Sequence, residues 1–166
     1  DAPEVIHKSE AGGVRLNLGN PEALALAYQN MQDRFASSGA SFVLLEQKPA
    51  GRELILGASA APGLGSLVMF GLGGIFVEVL RDVVFGLAPL GRLEARAMIR
   101  ATKAYRVLEG LRGEPGIDLH AVEDLLLRVS RLAADFPEIC ELDLNPVLVY
   151  PAGITPAAVD VRMKIK

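Results

Sequence analysis

The spacing of apolar side chains changes period along the chain, and each change marks an element. Val14-Arg15-Leu16-Asn17-Leu18 places apolar residues at every second position, which predicts a strand. Asn20-Pro21 reads as a helix start, with Asn at the N-cap and Pro at the first helical position. Leu24, Tyr28, Met31 and Phe35 then recur at helical spacing, and Ser37-Ser38-Gly39 should end the helix. Short apolar runs follow as strands: Ser41 to Gln47, Glu53 to Gly57 after the turn Pro49-Ala50-Gly51, Ser66 to Phe70, and Ile75 to Phe85. Met98, Thr102, Tyr105 and Leu108 form one helical stripe closed by Gly110. Leu119, Val122, Leu126, Val129 and Leu132 form a second, from about Asp118 to Asp135, and Pro137 stops it. Two strands end the chain, Glu141 to Tyr150 and Ala158 to Ile165, joined through Pro151-Ala152-Gly153.

Runs of strands interrupted by helices indicate an α+β or mixed α/β domain. Leu64 to Leu80 is almost wholly apolar, but it is shorter than the roughly 20 residues of a spanning helix. It also holds Gly71, Gly73 and Gly74 and carries Glu78, so it reads as buried strands around a glycine turn, and no membrane association is expected.

The composition adds limits. The 166 residues suffice for one domain or two small subdomains, and 51% hydrophobic with 22% charged residues describes a globular chain. Twenty acids against 17 bases give a net charge of −3, which weighs against nucleic-acid binding by bulk charge. A single cysteine, Cys140, excludes an internal disulfide framework and a multi-cysteine zinc site. That usage fits a reducing cytosol. The start, Asp1-Ala2-Pro3-Glu4, is polar, not a signal peptide, and lacks Met, as a processed or excised chain would.

Four groups of residues could carry chemistry. Asp143 and Asn145 lie two apart in a strand and share a face, while Leu142 and Leu144 turn to the core. With Asp160 on the neighbouring strand they form a set of hard oxygen donors suited to Mg²⁺, although a polar strand face near Pro146 has the same pattern. Phe70-Gly71-Leu72-Gly73-Gly74-Ile75 could bring backbone N–H groups close to an anion, or simply turn the chain. His7-Lys8 beside Ala11-Gly12-Gly13 could hold phosphates or accept a phosphoryl group, or be a solvated pair. Glu46 and Glu53 flank a turn and could bond the amino group of a base and the hydroxyls of a ribose, as could any two surface acids.

In order, the stretches IHKSEAGGVRLNL, LLEQKPAGRELILG, VMFGLGGIFVEVLRDVVFGLAPL, AYRVLEGLRGEP and DFPEICELDLNPVLVYP resemble the ATP-grasp domain of ADP-forming (NDP-forming) acyl-CoA synthetases, the β-subunit or β-domain of acetate–CoA ligase. Succinyl-CoA synthetase β-subunits resemble it more distantly. The resemblance implies an ATP-grasp fold, incomplete at its N-terminal side, with a mixed or antiparallel sheet flanked by helices. Residues 1–45 would belong to the small lid subdomain and 46–166 to the C-terminal subdomain with the Mg-nucleotide site. It further implies that Ala11, Gly12 and Gly13 cover the nucleotide phosphates, that Glu46 and Gln47 line the adenine pocket and that Glu53 faces the ribose. Gly73 and Gly74 would lie near the phosphates or the incoming phosphohistidine loop, Asn145 and Asp160 would hold Mg²⁺ with Asp143 close by, and His7 would take a phosphoryl group transiently.

The implied reaction converts acyl-CoA, ADP and phosphate reversibly to the free acid, CoA and ATP through a phosphohistidine. It needs a CoA-binding α-subunit or α-domain with its own catalytic histidine, and the resemblance implies a cytoplasmic oligomer. Many relatives carry an arginine where this chain has Gly86, and Arg81 is the nearby cation that could compensate. The competing reading is a non-catalytic ATP-grasp module of the kind fused to GNAT-type protein lysine acetyltransferases.

Overall fold

A computed structural model describes residues 11–38, 50–73, 82–103, 105–111 and 113–166. The chain divides into two compact units, Asp1–Pro49 and Ala50–Lys166.

In the first unit the described secondary structure is helix α1, Pro21–Arg34. Its N-cap is Asn20, whose side-chain oxygen accepts the Ala23 N–H at 2.8 Å. The helix stops at Arg34, earlier than Ser37–Gly39, because the Phe35 N–H closes on Met31 and the next turn is held by Ser38 on the Phe35 carbonyl. Val14 to Leu18 is not a strand: Asn17 has φ 59°, a left-handed conformation that interrupts a ladder.

The second unit is a sheet with helices on one face. Its strands are β1 (Arg52–Ala61), β2 (Gly65–Leu72), β3 (Val83–Leu87), β4 (Ile139–Val149), β5 (Ala157–Ala158) and β6 (Val161–Ile165). The order is β3-β2-β1-β4-β5, with β6 also on β4, and every pairing is antiparallel. Strand β1 runs past Gly57 to Ala61, where Gly63 and Gly65, both at positive φ, turn it into β2. The expected last strand, Ala158 to Ile165, is broken at Val159-Asp160, where the Val159 N–H bonds the Pro146 carbonyl.

The predicted stripe from Met98 to Leu108 is two helices, α2 (Arg92–Ala101) and α3 (Tyr105–Glu109). Thr102 leaves the helical region at ψ 140°, its hydroxyl bonds the Ile99 carbonyl at 2.8 Å, and the buried Asp82 carboxylate accepts the Lys103 N–H at 2.9 Å. The break is therefore held by bonds of its own. Helix α4, Leu119–Asp135, begins where expected, with Asp118 accepting the Ala121 N–H. Of the expected strand Ile75 to Phe85 the described part enters β3 at Val83, and residues 75–81, like the expected strand Ser41 to Gln47, lie outside the described residues.

Alternation in the strands sorts the sheet into two faces. On one face the rows Val84–Phe70–Leu56–Leu144–Val161 and Gly86–Val68–Ala58–Leu142–Met163 run across five strands. Phe70, Leu56 and Val68 are fully buried there against Met98, Ile99, Val122, Leu126 and Val129 of α2 and α4. Ser130 ties the helix layer to the chain, its hydroxyl accepting the Leu90 N–H at 2.7 Å. At the edge of this layer the buried Glu123 carboxylate is held by Arg96 at 2.7 and 3.1 Å, with Arg92 at 3.6 Å. No helix among the described residues is long and apolar enough to cross a membrane.

Candidate functional site

The other face of the sheet carries no helix of this unit among the described residues. Its central row is Phe85–Met69–Gly57–Asp143–Arg162, and the row beside it is Leu87–Leu67–Ser59–Glu141–Lys164. One half of this face is apolar, with Phe85 and Leu87 exposed, and the other half is charged. The glycine at 57 separates the two halves.

Strand β4 supplies the charged half. Leu142 and Leu144 are buried on the helix side, so Asp143 and Asn145 stand on the open side, Asp143 half-buried and Asn145 exposed. The break between β5 and β6 brings Asp160 alongside: its carbonyl accepts the Asn145 N–H at 3.1 Å. Burial pushes the Asp143 carboxyl above its ordinary value; Arg162 opposes this, and Asp160 and Glu141 add to the rise. Two carboxylates and an amide, carried by neighbouring segments that the Asn145–Asp160 backbone bond ties together, are the residue types that suit a hard divalent cation. Among the described residues no group of three or more His, Cys, Asp or Glu side chains gathers for a metal.

Strand β1 supplies the second part. Glu53 is exposed and shares the open-face parity of Gly57. Its carbonyl accepts the Gly73 N–H at 2.8 Å, and a Cβ added at Gly73 would lie 3.0 Å from the Glu53 Cβ. The glycine thus lets the end of β2 pack directly on Glu53. Glu53 with Gly73, and Asp143 with Asn145 and Asp160, are the candidate groups that the structure brings together.

Ala11, Gly12 and Gly13 belong to the first unit, where they form a turn; Gly12 has φ +73° and the Arg34 guanidinium packs against it. His7, Glu46, Gln47, Gly74 and Arg81 lie outside the described residues. Gly86 sits on the helix-covered face: an added Cβ would meet Met98 Sδ at 2.6 Å and Leu90 Cδ2 at 2.7 Å. In this chain a side chain at 86 would enter the core, on the opposite face from Asp143. Arg162 was not among the sequence candidates. Its signal was a cation two residues after Asp160, on a strand that pairs with the one bearing Asp143.

Comparisons with known proteins show the family. Residues 1–165 match the family profile of the ATP-grasp domain. The chain is 46% identical over 166 residues to acetate–CoA ligase [ADP-forming] I of Archaeoglobus fulgidus, with 98% of this chain matched to 24% of that one. It is 41% identical to the β subunit of acetate–CoA ligase [ADP-forming] I of Pyrococcus furiosus, with 98% of this chain matched to 71% of the subunit. Among solved structures, the acetyl-coenzyme A synthetase 1 of Ca. Korarchaeum cryptofilum, in complex with coenzyme A and Mg-AMPPCP, aligns with TM-score 0.89 and 41% identity over 100% of this chain and 74% of that one. The same enzyme in complex with coenzyme A and Ca-AMPCP aligns with TM-score 0.90. This chain therefore spans about a quarter of the A. fulgidus ligase and most of the P. furiosus subunit. It belongs to the ATP-grasp domain family, in the group that includes the β subunits of ADP-forming acetate–CoA ligases.

Proposed function

We propose that this chain is the nucleotide-binding part of an ADP-forming acyl-CoA synthetase, which converts acyl-CoA, ADP and phosphate to acid, CoA and ATP. The observation that carries the reading is the gathering of Asp143, Asn145 and Asp160 on the open face of the sheet, with Glu53 on the same face. Asn145 and Asp160 hold Mg²⁺, with Asp143 beside them, and Glu53 bonds the ribose hydroxyls of ADP or ATP. When bound, Mg²⁺ neutralises phosphate charge and so lowers the barrier to phosphoryl transfer. Mg-AMPPCP in the K. cryptofilum complex supports that choice of ion and ligand.

Ala11, Gly12 and Gly13 cover the phosphates, Glu46 and Gln47 line the adenine pocket, and Gly73 and Gly74 approach the transferring group through their backbones. His7 takes the phosphoryl group transiently. In the step toward ATP the phosphohistidine N–P bond breaks, a terminal oxygen of ADP forms the new O–P bond, and the imidazole nitrogen regains its lone pair. A CoA-binding α-part with its own histidine completes the enzyme, in the cytoplasm and as an assembly of both parts. The relatives compared above are CoA ligases, which favours this reading over an acetyltransferase-linked module.

Titration of the chain with ADP across a Mg²⁺ series tests the proposal. Asp160→Asn should weaken Mg-ADP binding by about 1–3 kcal/mol, the scale of a lost charge-assisted contact. Equal affinity of the variant and the unaltered chain at every Mg²⁺ concentration would remove Asp160 from the site.

A further inference from the structure

Arg162 is the one feature of the open face that the proposed function leaves without a task. It stands opposite Asp143 in the β4–β6 ladder, and side chains at directly opposed positions share a face. On its other side Asp143 faces Gly57, which has no side chain to offer it. Arg162 also follows Asp160 by two residues. Glu141 and Lys164 oppose each other one row away, and the Glu141 charge is also felt at Asp143. Arg162 therefore places a positive charge on the face that carries these carboxylates.

We infer that Arg162 is a positioning residue that tunes this cluster to take a divalent cation together with a nucleotide polyphosphate, and to hold the cation poorly without one. This rests on the proposed function and adds a rule for the order in which the site fills. A dication entering alone meets repulsion from the guanidinium opposite Asp143. A dication arriving with the phosphates of ADP does not, because the phosphates bring excess negative charge that Arg162 attracts. The arginine thus opposes loading by free metal and favours the metal–nucleotide complex.

The test titrates Mn²⁺ alone into the 166-residue chain, following free Mn²⁺ by electron paramagnetic resonance, and repeats the titration with ADP present. Removing the guanidinium in Arg162→Gln should tighten binding of Mn²⁺ alone on the order of tenfold, as expected for a unit charge near a dication at a partly solvated site. Arg162→Lys keeps the charge and should bind Mn²⁺ alone like the unaltered chain. The advantage that ADP confers on Mn²⁺ binding should shrink in Arg162→Gln. Equal or weaker binding of Mn²⁺ alone by Arg162→Gln overturns the inference. So does an unaltered chain that binds ADP yet holds Mn²⁺ equally well with and without it, a result that needs no variant to fold. If Mn²⁺ binds but ADP does not bind at all, the nucleotide-site reading fails instead, and the Mn²⁺-only comparison still decides the role of Arg162.

Discussion

Asp143→Asn should make the fold more stable at neutral pH while weakening its hold on a divalent cation. Asp143 is half-buried in the middle of the open-face row, and its carboxyl is held above the ordinary value by burial first, then by Asp160 and Glu141, against the pull of Arg162. Its folded-state value exceeds its unfolded one, so the native state binds the proton more tightly. Ionising Asp143 then costs stability, fully so above the raised value and not at all below the ordinary value of about 3.9. The unaltered chain should lose stability as pH rises through that window, whereas the Asn variant has no such step. Solvent screens a half-exposed group, which leaves about 0.5–1 kcal/mol in favour of the variant. For a unit of this size that corresponds to a rise of about 2–4 °C in Tm. Urea unfolding near neutral pH and at about pH 3 reads the difference, which should vanish in acid where both side chains are neutral. A variant less stable than the unaltered chain at neutral pH, or a gain that persists unchanged in acid, would refute the reasoning.

Gly71→Ala places a Cβ 2.7 Å from the Asp82 carbonyl oxygen and 2.8 Å from Val83 Cγ1. Since backbone must move, it should cost about 1–3 kcal/mol, and an unchanged urea midpoint would contradict the close approach. Glu123→Gln removes a carboxylate that Arg96 holds below its ordinary value through two hydrogen bonds. That contribution is present above the unfolded value of about 4.3 and is lost as pH falls through the depressed folded value. The variant should therefore melt lower at neutral pH and match the unaltered chain in strong acid, and a gap of the same size at both ends would exclude the ion pair as its source.

Much of the second unit was legible in the residues because it is built from strong local signals. The Leu142–Leu144 alternation placed Asp143 and Asn145 on one face, and Asp118 and Pro137 bracketed α4. What escaped notice was non-local. The stripe from Met98 to Leu108 has helical period throughout, yet the Asp82 carboxylate, distant in sequence, secures a break after Thr102. Val159-Asp160 carries no turn signal of its own; its irregularity comes from bonding to Asn145 and Pro146 across the ladder. Val14 to Leu18 alternates well, but alternation does not reveal a left-handed backbone at Asn17. Arg162 looked like any surface cation until the register set it opposite Asp143.

Strand β4 has a consequence for how such a chain can change. Its pairing shifts register between Leu54 and Leu56 on the β1 side and between Ile139 and Glu141 on the β6 side, and between those two irregularities its leucines and its acids alternate. A slip of one residue would put Asp143 into the core and a leucine at the mouth of the site. Foldedness and the proposed cation site are therefore written in one strand and inherited together. A screen for divalent-cation binding applied to randomised β4 sequences would recover the leucine positions as faithfully as the acidic ones, although no leucine touches the ion.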